Sequence, residues 1–263
     1  MSKRSSPRRA PHSAASGALI LLSLALSFVG AREARAENAL WSAGSAYTSP
    51  SGRTEVNLTT PSLYALSNEA QIFIDLPLMA LTPNIGYKRA WPGAFARANA
   101  PLAVSTRHRA STPSLLRGIS TVGENPFLLT LESDLLLSAR VGPRASILTF
   151  SAGGSWTPHA GREVAFADEW AVIAPRVGNA PWVMRGRLRW DAWLAGQMYY
   201  FLDTQLFVLP AVEFAQIEQR VEISWRWRRV KFGAGVMAIW SVDKKGARSL
   251  SALPTLDAGV AID

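Results

Sequence analysis

The sequence predicts an all-β protein, a closed antiparallel transmembrane β-barrel of about 10 to 12 strands. Three observations predict this fold. The first is an N-terminal export signal, and the second is a series of segments in which apolar and polar residues alternate. The third is the ten tryptophans, several of which lie near the ends of predicted strands.

The first 36 residues have the features of a bacterial export signal. The apolar core, Ala18 to Val29, is too short to cross a bilayer, which needs about 20 apolar residues. Ala34-Arg35-Ala36 offers small residues at alternate positions, so we predict cleavage after Ala36. Residues 1–36 are therefore predicted to be a signal peptide and residues 37–263 a single outer-membrane β-barrel domain. Four basic residues precede the apolar core: Lys3, Arg4, Arg8 and Arg9.

The composition argues against several classes of partner and cofactor. The formal net charge is +9, but outside the predicted signal peptide the chain has 22 basic and 18 acidic residues. These basic residues mostly alternate with apolar ones instead of forming one basic face, so we expect no nucleic-acid partner. Cysteine is absent, which excludes disulfides, cysteine metal sites and a lipidated N-terminal cysteine. We expect no metal and no cofactor.

Segments of about 8 to 11 residues alternate in polarity and are separated by Pro, Gly, Asn or Ser, as expected for strands. In residues 220–228, Val, Ile and Trp fall on one face, and Glu, Ser and Arg fall on the other. Residues 230–240 repeat the pattern, which predicts a tight hairpin with its turn at Arg228 and Arg229. The alternation recurs in residues 129–138 and 184–192, and more weakly in residues 55–58, 148–152 and 255–262.

A membrane barrel and a soluble sheet differ in which face is enclosed. A soluble β-sandwich buries its apolar face, whereas a membrane barrel turns that face to lipid and its polar face inward. The export signal and the tryptophans favour the barrel in the outer membrane, because indole rings suit the membrane–water interface. The alternative is a soluble periplasmic sandwich or lipocalin-like binder with core tryptophans. The tryptophans near predicted strand ends are Trp41, Trp91, Trp156, Trp182 and Trp240.

Charged residues on the inferred inward faces are the candidate lumen lining. They have both signs, so two interpretations stay open. In one, ion pairs merely hold a narrow barrel together; in the other, the charges line a pore. The candidate lining residues are Glu132, Asp134, Arg185, Arg187, Arg189, Asp191, Glu222, Arg226, Arg228, Lys231 and Asp257.

Two regions fit the barrel pattern poorly. Pro210 interrupts an apolar run, and since a closed barrel has no free edge to hold a proline, we predict a strand end or a bulge there. Residues 77–113 contain five prolines and only short alternating pieces. We expect long loops in this region, or a segment folded into the lumen.

Three short runs carry a family resemblance. They are Ser49 to Val56, Tyr64 to Glu69 and Pro83 to Lys88. Together they resemble the opening hairpins of uncharacterised exported outer-membrane β-barrel proteins of Gram-negative bacteria. The resemblance implies a fold and a location, and with them outer-membrane lipid and the barrel-assembly machinery as partners. It implies no activity and no site residue.

The sequence offers few catalytic candidates, so an enzyme is not expected. His108 could serve as a base for Ser105 or Ser111 only if folding joined them, and a basic surface loop is the favoured interpretation; His159 has the context of a turn residue. Neither a Gly-x-Ser-x-Gly elbow nor a His-Glu-x-x-His pair occurs. Residues 233–238 match Gly-x-Gly-x-x-Ala but alternate like a strand, which excludes a nucleotide loop.

Three functional classes remain for a membrane barrel. The leading one is a small pore or channel component, with small solutes as its cargo. The second is a structural or partner-binding barrel that uses residues 77–113. The third is a lipid-acting enzyme, which needs a hydroxyl, a histidine and a carboxylate that converge at the rim.

Overall fold

The computed structural model describes residues 44–79, 82–91, 101–112, 129–141, 146–158, 181–210, 213–242 and 246–262. In these residues the chain forms a closed antiparallel barrel of twelve strands, in which β12 returns to pair with β1. This confirms the predicted all-β fold, a closed antiparallel barrel of 10 to 12 strands. The predicted signal peptide, residues 1–36, lies outside the described residues.

Each strand pairs with its neighbours in sequence, so the barrel has up-and-down topology. One turn of helix, α1 (Leu76–Met79), follows β3. Among the described residues, no helix is long and apolar enough to cross a membrane. The strands are β1 (Thr54–Asn57), β2 (Ser62–Ala65), β3 (Ala70–Ile74), β4 (Asn84–Ala90), β5 (Leu102–Ser111), β6 (Thr130–Val141), β7 (Ser146–Trp156), β8 (Trp182–Ala195), β9 (Met198–Leu209), β10 (Phe214–Trp227), β11 (Val230–Val242) and β12 (Arg248–Ile262).

The strands are unequal in length. β5 to β12 have 10 to 15 residues each. β1 to β3 have only 4 or 5, and β4 has 7. The prediction of strands of about 8 to 11 residues is therefore wrong for β1 to β4, the first third of the twelve strands. β12 consequently extends beyond β1, with which it pairs only through its last four residues.

The connections differ between the two ends of the barrel. At one end, the short-turn end, the strands are joined by residues 66–69, 91–101, 142–145, 196–197 and 228–229. At the other, the long-loop end, they are joined by residues 58–61, 75–83, 112–129, 157–181, 210–213 and 243–247. β1 leads into residues 58–61 at the long-loop end, so it begins at the short-turn end. β12 ends there too, because its Ile262 pairs with Thr54, the first residue of β1.

The two faces of the wall have opposite chemistry. In β6, Glu132 and Asp134 point inward and are 5% and 4% exposed, whereas Leu131 and Leu135 point outward and are 41% and 50% exposed. The same alternation runs through the other long strands, with Leu, Ile, Val, Phe and Trp on the outside. The polarity follows from the period of two residues in a strand. The prediction that the charged face looks inward is confirmed.

Both of the regions that fit the barrel pattern poorly contain strand boundaries. Pro210 follows the last residue of β9, as predicted. Residues 77–113 were expected to form long loops or a segment folded into the lumen. This expectation is wrong for Asn84–Ala90 and Leu102–Ser111, which form β4 and β5 in the wall, while residues 80–81, 92–100 and 113 lie outside the described residues. Pro83 and Pro101 directly precede these two strands. At that position the missing N–H of proline removes no hydrogen bond between strands.

Candidate functional site

The barrel encloses a cavity of about 200 Å³ that is lined by charged side chains of both signs. Seven of the eleven predicted lining residues face it: Glu132, Asp134, Arg185, Arg187, Arg189, Asp191 and Lys231. The cavity also has aromatic walls, formed by Phe73, Trp193, Tyr199 and Phe207. The lining thus combines fixed charges with apolar aromatic surface.

The other four predicted lining residues lie elsewhere. Glu222 is buried and accepts hydrogen bonds from Arg220 Nη2 at 2.5 Å and Ser224 Oγ at 3.0 Å. Asp257 is also buried; Lys231 Nζ donates to it, and so does the backbone N–H of Thr59, at 2.9 Å. Both carboxylates therefore belong to the ion-paired interior outside the cavity.

Arg226 and Arg228 lie at the β10–β11 turn. Arg228 has a φ of 53° and is exposed in the turn itself. Arg226 is half-buried near the end of β10, and its Nε donates to the carbonyl of Arg228 at 3.2 Å. The alternation was extended one residue too far, because the turn rotates Arg228 out of the wall.

Several interior charges were missed by the sequence argument. Arg107 and Arg109 are on β5, within the region expected to be loop. Asp203, Glu218 and Arg220 are on β9 and β10, and all five line the cavity. The signal was present in residues 105–109, where Arg alternates with Thr and His, but the flanking prolines concealed it.

Asp134 and Glu132 organise one ion-pair network in the half of the wall nearer the long-loop end. Asp134 Oδ2 accepts from Arg107 Nε and Nη2 at 3.0 and 2.7 Å, and Asp134 Oδ1 accepts from Arg185 Nε and Nη2 at 2.9 and 2.7 Å. Glu132 accepts from Arg185 Nη1 at 2.5 Å and from Arg109 Nε at 2.7 Å. Each carboxylate on β6 thus joins an arginine of the adjacent strand β5 to Arg185 of β8, which is two strands away.

A second network joins β8 and β9. Arg187 pairs in bidentate fashion with Asp203, at 2.7 and 2.6 Å. Arg189 donates to Asp191 at 2.6 Å, and its guanidinium also lies 4.0 Å from the ring centroid of Phe201. Bidentate pairs and cation–π contacts are geometries that fix arginine side chains in one orientation. The charges around the cavity are therefore held in fixed positions.

The segment Gly44–Ser49, which precedes β1, lies inside the barrel at the short-turn end. Lys88, fully buried on β4, donates its ammonium to the carbonyls of Ser45 at 3.0 Å and Tyr47 at 2.5 Å. The backbone N–H of Ala46 donates to Ser138 Oγ at 2.7 Å. Inward-facing side chains of β4 and β6 thus satisfy the backbone of this segment, which we call the N-terminal plug.

Apolar and aromatic contacts complete the seat of the N-terminal plug. Ala46 and Tyr47 pack in a buried cluster with Ala103, Leu136 and Ile147. The guanidinium of Arg140 lies 5.4 Å from the Tyr47 ring centroid. Burial raises the pKa of the Tyr47 hydroxyl, so this group stays neutral.

The innermost residues of the N-terminal plug reach the cavity. Gly44 and Ser45 form part of its lining. A Cβ on Gly44 would lie 2.6 Å from Arg189 Cζ, so the chain passes directly against that guanidinium. The N-terminal plug therefore narrows the lumen from the short-turn end as far as the second ion-pair network.

His108 lies on the outside of the barrel, where its Nδ1 is 2.9 Å from Ser133 Oγ. Both side chains are exposed, whereas Ser105 and Ser111 are buried and point inward. The hypothesis that His108 serves Ser105 or Ser111 is therefore wrong. His159 lies outside the described residues.

The chemistry of the described residues offers no obvious metal centre, since they include no group of three or more His, Cys, Asp or Glu side chains placed to hold a metal ion. No family model matches the chain, and no curated protein matches its sequence. We therefore infer the function from the geometry of the barrel alone.

Proposed function

We propose that this chain is an outer-membrane β-barrel protein that forms a small pore, closed in its resting state by the N-terminal plug. The observation that carries the proposal is the polarity of the wall. A closed sheet presents apolar side chains outward and encloses fixed charges around a central cavity.

The outer surface supports a location in lipid. The largest apolar patch on a typical soluble monomer covers a few hundred Å². Here apolar side chains are exposed on all of the long strands β6 to β12. Closure of the barrel pairs most of the strand amides, which lipid cannot satisfy, although β12 before Gly259 has no strand beside it on its β1 side. Lipid is therefore the solvent that this surface fits.

The aromatic residues support the same location. Trp156 and Trp182 stack on the outer face where β7 and β8 meet the long-loop end, with ring centroids 5.9 Å apart. Trp225 and Trp227 are exposed where β10 meets the short-turn end. Two aromatic bands with an apolar zone between them are typical of barrels in the bacterial outer membrane.

The connections support an orientation. Barrels of the outer membrane have short periplasmic turns and longer extracellular loops. We therefore infer that the short-turn end, with the N-terminal plug, faces the periplasm. The cavity, which is lined in part by Thr59, Thr60 and Asp75 near the long-loop end, then lies on the exterior side of the N-terminal plug.

The interior supports a pore for small solutes. Fixed charges of both signs line the cavity, and charged walls select solutes by size and sign. Because the enclosed cavity has a volume of only about 200 Å³ and ion-paired side chains line it, we expect a low conductance. The N-terminal plug occupies the path at the periplasmic end, so its displacement is the opening step.

The test is conductance across planar lipid bilayers. The full-length mature protein is compared with a variant that lacks residues 44–49, and with the variant A46C/S138C, whose two cysteines replace neighbouring residues. The chain has no other cysteine, so oxidation forms only this disulfide. We expect the deletion variant to conduct more than the wild type, and the oxidised double-cysteine variant to stay silent until it is reduced.

Two results would overturn the proposal. One is that neither the deletion variant nor the reduced double-cysteine variant conducts, although both migrate as folded barrels in cold detergent. That outcome favours the structural or partner-binding barrel. The other is that the mature protein stays soluble as a compact monomer without detergent, which favours a soluble binder.

A further inference from the structure

We propose that the outer surface of the barrel carries a second site, in which Ser133 and His108 act as nucleophile and base on ester bonds of membrane lipids. This inference goes beyond a pore and depends on the proposed membrane location. It assigns a function to the only histidine of the described residues. The chemistry of the site faces lipid and is independent of the lumen.

The strand register brings the two side chains together. His108 on β5 is directly opposite Ser133 on β6, and both residues point outward. His108 Nδ1 and Ser133 Oγ are 2.9 Å apart, within the range of about 2.6 to 3.2 Å expected of a nucleophile and its base. The proposed site is therefore a serine–histidine dyad and does not include the carboxylate that the sequence analysis expected of a lipid-acting enzyme. An exposed histidine–serine pair in an otherwise apolar surface is costly in lipid, so a functional role is the first hypothesis to test.

The neighbouring strands leave room for a substrate. The next residue across the sheet from Ser133 is Gly154 on β7, which has no side chain. On the other side, Tyr87 on β4 is opposite His108 and is also exposed. An acyl chain can lie over Gly154, while the phenol of Tyr87 supplies a hydrogen-bond donor beside the histidine.

The pair lies close to the level of the lipid ester groups. Leu131, the outward residue nearest Ser133 along β6, pairs with Trp156, which stacks on Trp182. Two residues along a strand correspond to about 7 Å. Tryptophans mark the boundary between headgroups and hydrocarbon, which is where phospholipid ester bonds are found.

The proposed reaction is acyl transfer followed by hydrolysis. His108 takes the proton of the Ser133 hydroxyl as Oγ attacks the ester carbonyl, and the alcohol of the lipid leaves with that proton. An acyl group is then bound to Ser133 Oγ. Water, deprotonated by His108, attacks this ester and releases the fatty acid, which restores the serine. The products are a lysolipid and a fatty acid.

The experiment uses the full-length mature protein in two settings. In detergent micelles, a fluorophosphonate probe is added and the labelled residue is identified by peptide mass spectrometry. In phosphatidylethanolamine vesicles, released fatty acid is measured. The variants are S133A, H108Q and, as a matched control, T204V, which removes an outward hydroxyl on β9 that pairs with Leu188 and Gln219.

We expect the wild type and T204V to be labelled and to release fatty acid. We expect S133A to lose the label completely and H108Q to lose most of it. Retention of folded mobility in cold detergent shows that each variant still forms the barrel. Folded wild-type protein that takes no label and releases no fatty acid overturns the proposal, and so does equal activity in S133A.

Failure of the lipid-site proposal can be distinguished from failure of the pore proposal. The conductance measurement depends on residues 44–49 and the lumen, whereas labelling depends on residues outside the barrel. Labelling in micelles does not require a bilayer. A protein that conducts but is not labelled has a pore and no lipid site. A protein that is labelled but does not conduct has a lipid site and no pore.

Discussion

Replacement of Lys88 by Met tests how the N-terminal plug is held. The ammonium of Lys88 donates to the carbonyls of Ser45 and Tyr47 at 3.0 and 2.5 Å, and the side chain is fully buried. Methionine has a similar length but donates no hydrogen bond, so Lys88→Met leaves both carbonyls without this donor. The variant should therefore release the N-terminal plug from its seat.

The magnitude follows from the two hydrogen bonds. Leaving a buried acceptor unsatisfied costs about 1 to 3 kcal/mol, so two acceptors cost about 2 to 6 kcal/mol. Removing the buried charge of Lys88 offsets part of this cost. We take about 3 kcal/mol as the net loss of free energy that holds the N-terminal plug in its seat. Since about 1.4 kcal/mol corresponds to a factor of ten, the open fraction should rise by about two orders of magnitude.

The assay is maleimide labelling of a cysteine at position 46. The chain has no native cysteine, so A46C is a unique reporter of exposure of the N-terminal plug. We expect labelling of A46C/K88M to be about a hundredfold faster than labelling of A46C alone. The control is A46C/Q216L, which changes a buried polar residue of β10 near the long-loop end and should leave the rate unchanged.

Equal labelling rates in A46C and A46C/K88M, with both proteins folded, would refute the assigned role of Lys88. So would rapid labelling of A46C itself, at the rate of the urea-unfolded protein. In that case the N-terminal plug does not close the lumen.

Three further predictions concern the stability of the barrel, measured as the free energy of unfolding in urea from detergent micelles. Asp134→Asn removes the charge that accepts four hydrogen bonds from two arginines, and should destabilise the barrel by about 3 to 5 kcal/mol; an unchanged transition contradicts the network. Gly86→Ala would place a Cβ 2.1 Å from Phe73 Cζ, so we expect a loss of about 1 to 3 kcal/mol. The second change Phe73→Leu should restore part of this loss, and no restoration contradicts the packing. Lys231→Met leaves Asp257 buried without its cation and should be more destabilising than the pair Lys231→Met with Asp257→Leu; the reverse order contradicts the ion pair.

The strands could be predicted from the sequence wherever one face is apolar and the other polar. β10 and β11 are the clearest case, and their turn at Arg228–Arg229 was located correctly. β4 and β5 were missed because prolines flank them. Pro83 and Pro101 lie just before the strands, so the same residues that suggested loops mark where the strands begin.

The candidate sites depend on contacts between residues that are distant in sequence. Ala46 and Ser138 are 92 positions apart, and nothing in the sequence around residue 46 signals a buried segment. His108 and Ser133 come together only through the register of β5 and β6. A slip of that register by one residue would turn one of the two side chains into the lumen, so the pair could not be predicted before the pairing was known.

The sequence predicted which charged residues face inward more successfully than it predicted their ion-pair partners. Alternation placed Glu132, Asp134 and Arg185 on inward faces, and all three line the cavity. Their partners Arg107 and Arg109 come from a strand that the sequence argument had missed. Ion pairs that link neighbouring strands therefore require the strand order as well as the pattern.

We propose that the apolar outer face of the barrel contacts lipid while the polar face is enclosed. The most direct measurement uses single cysteines at consecutive positions of β6, Leu135 and Leu136, each carrying a fluorophore in protein reconstituted into vesicles. The structure predicts that a label at position 135 is quenched by nitroxides on lipid acyl chains, whereas a label at position 136 is not. Quenching of the label at position 135 by a water-soluble quencher, with none from the acyl-chain nitroxides, would contradict the account.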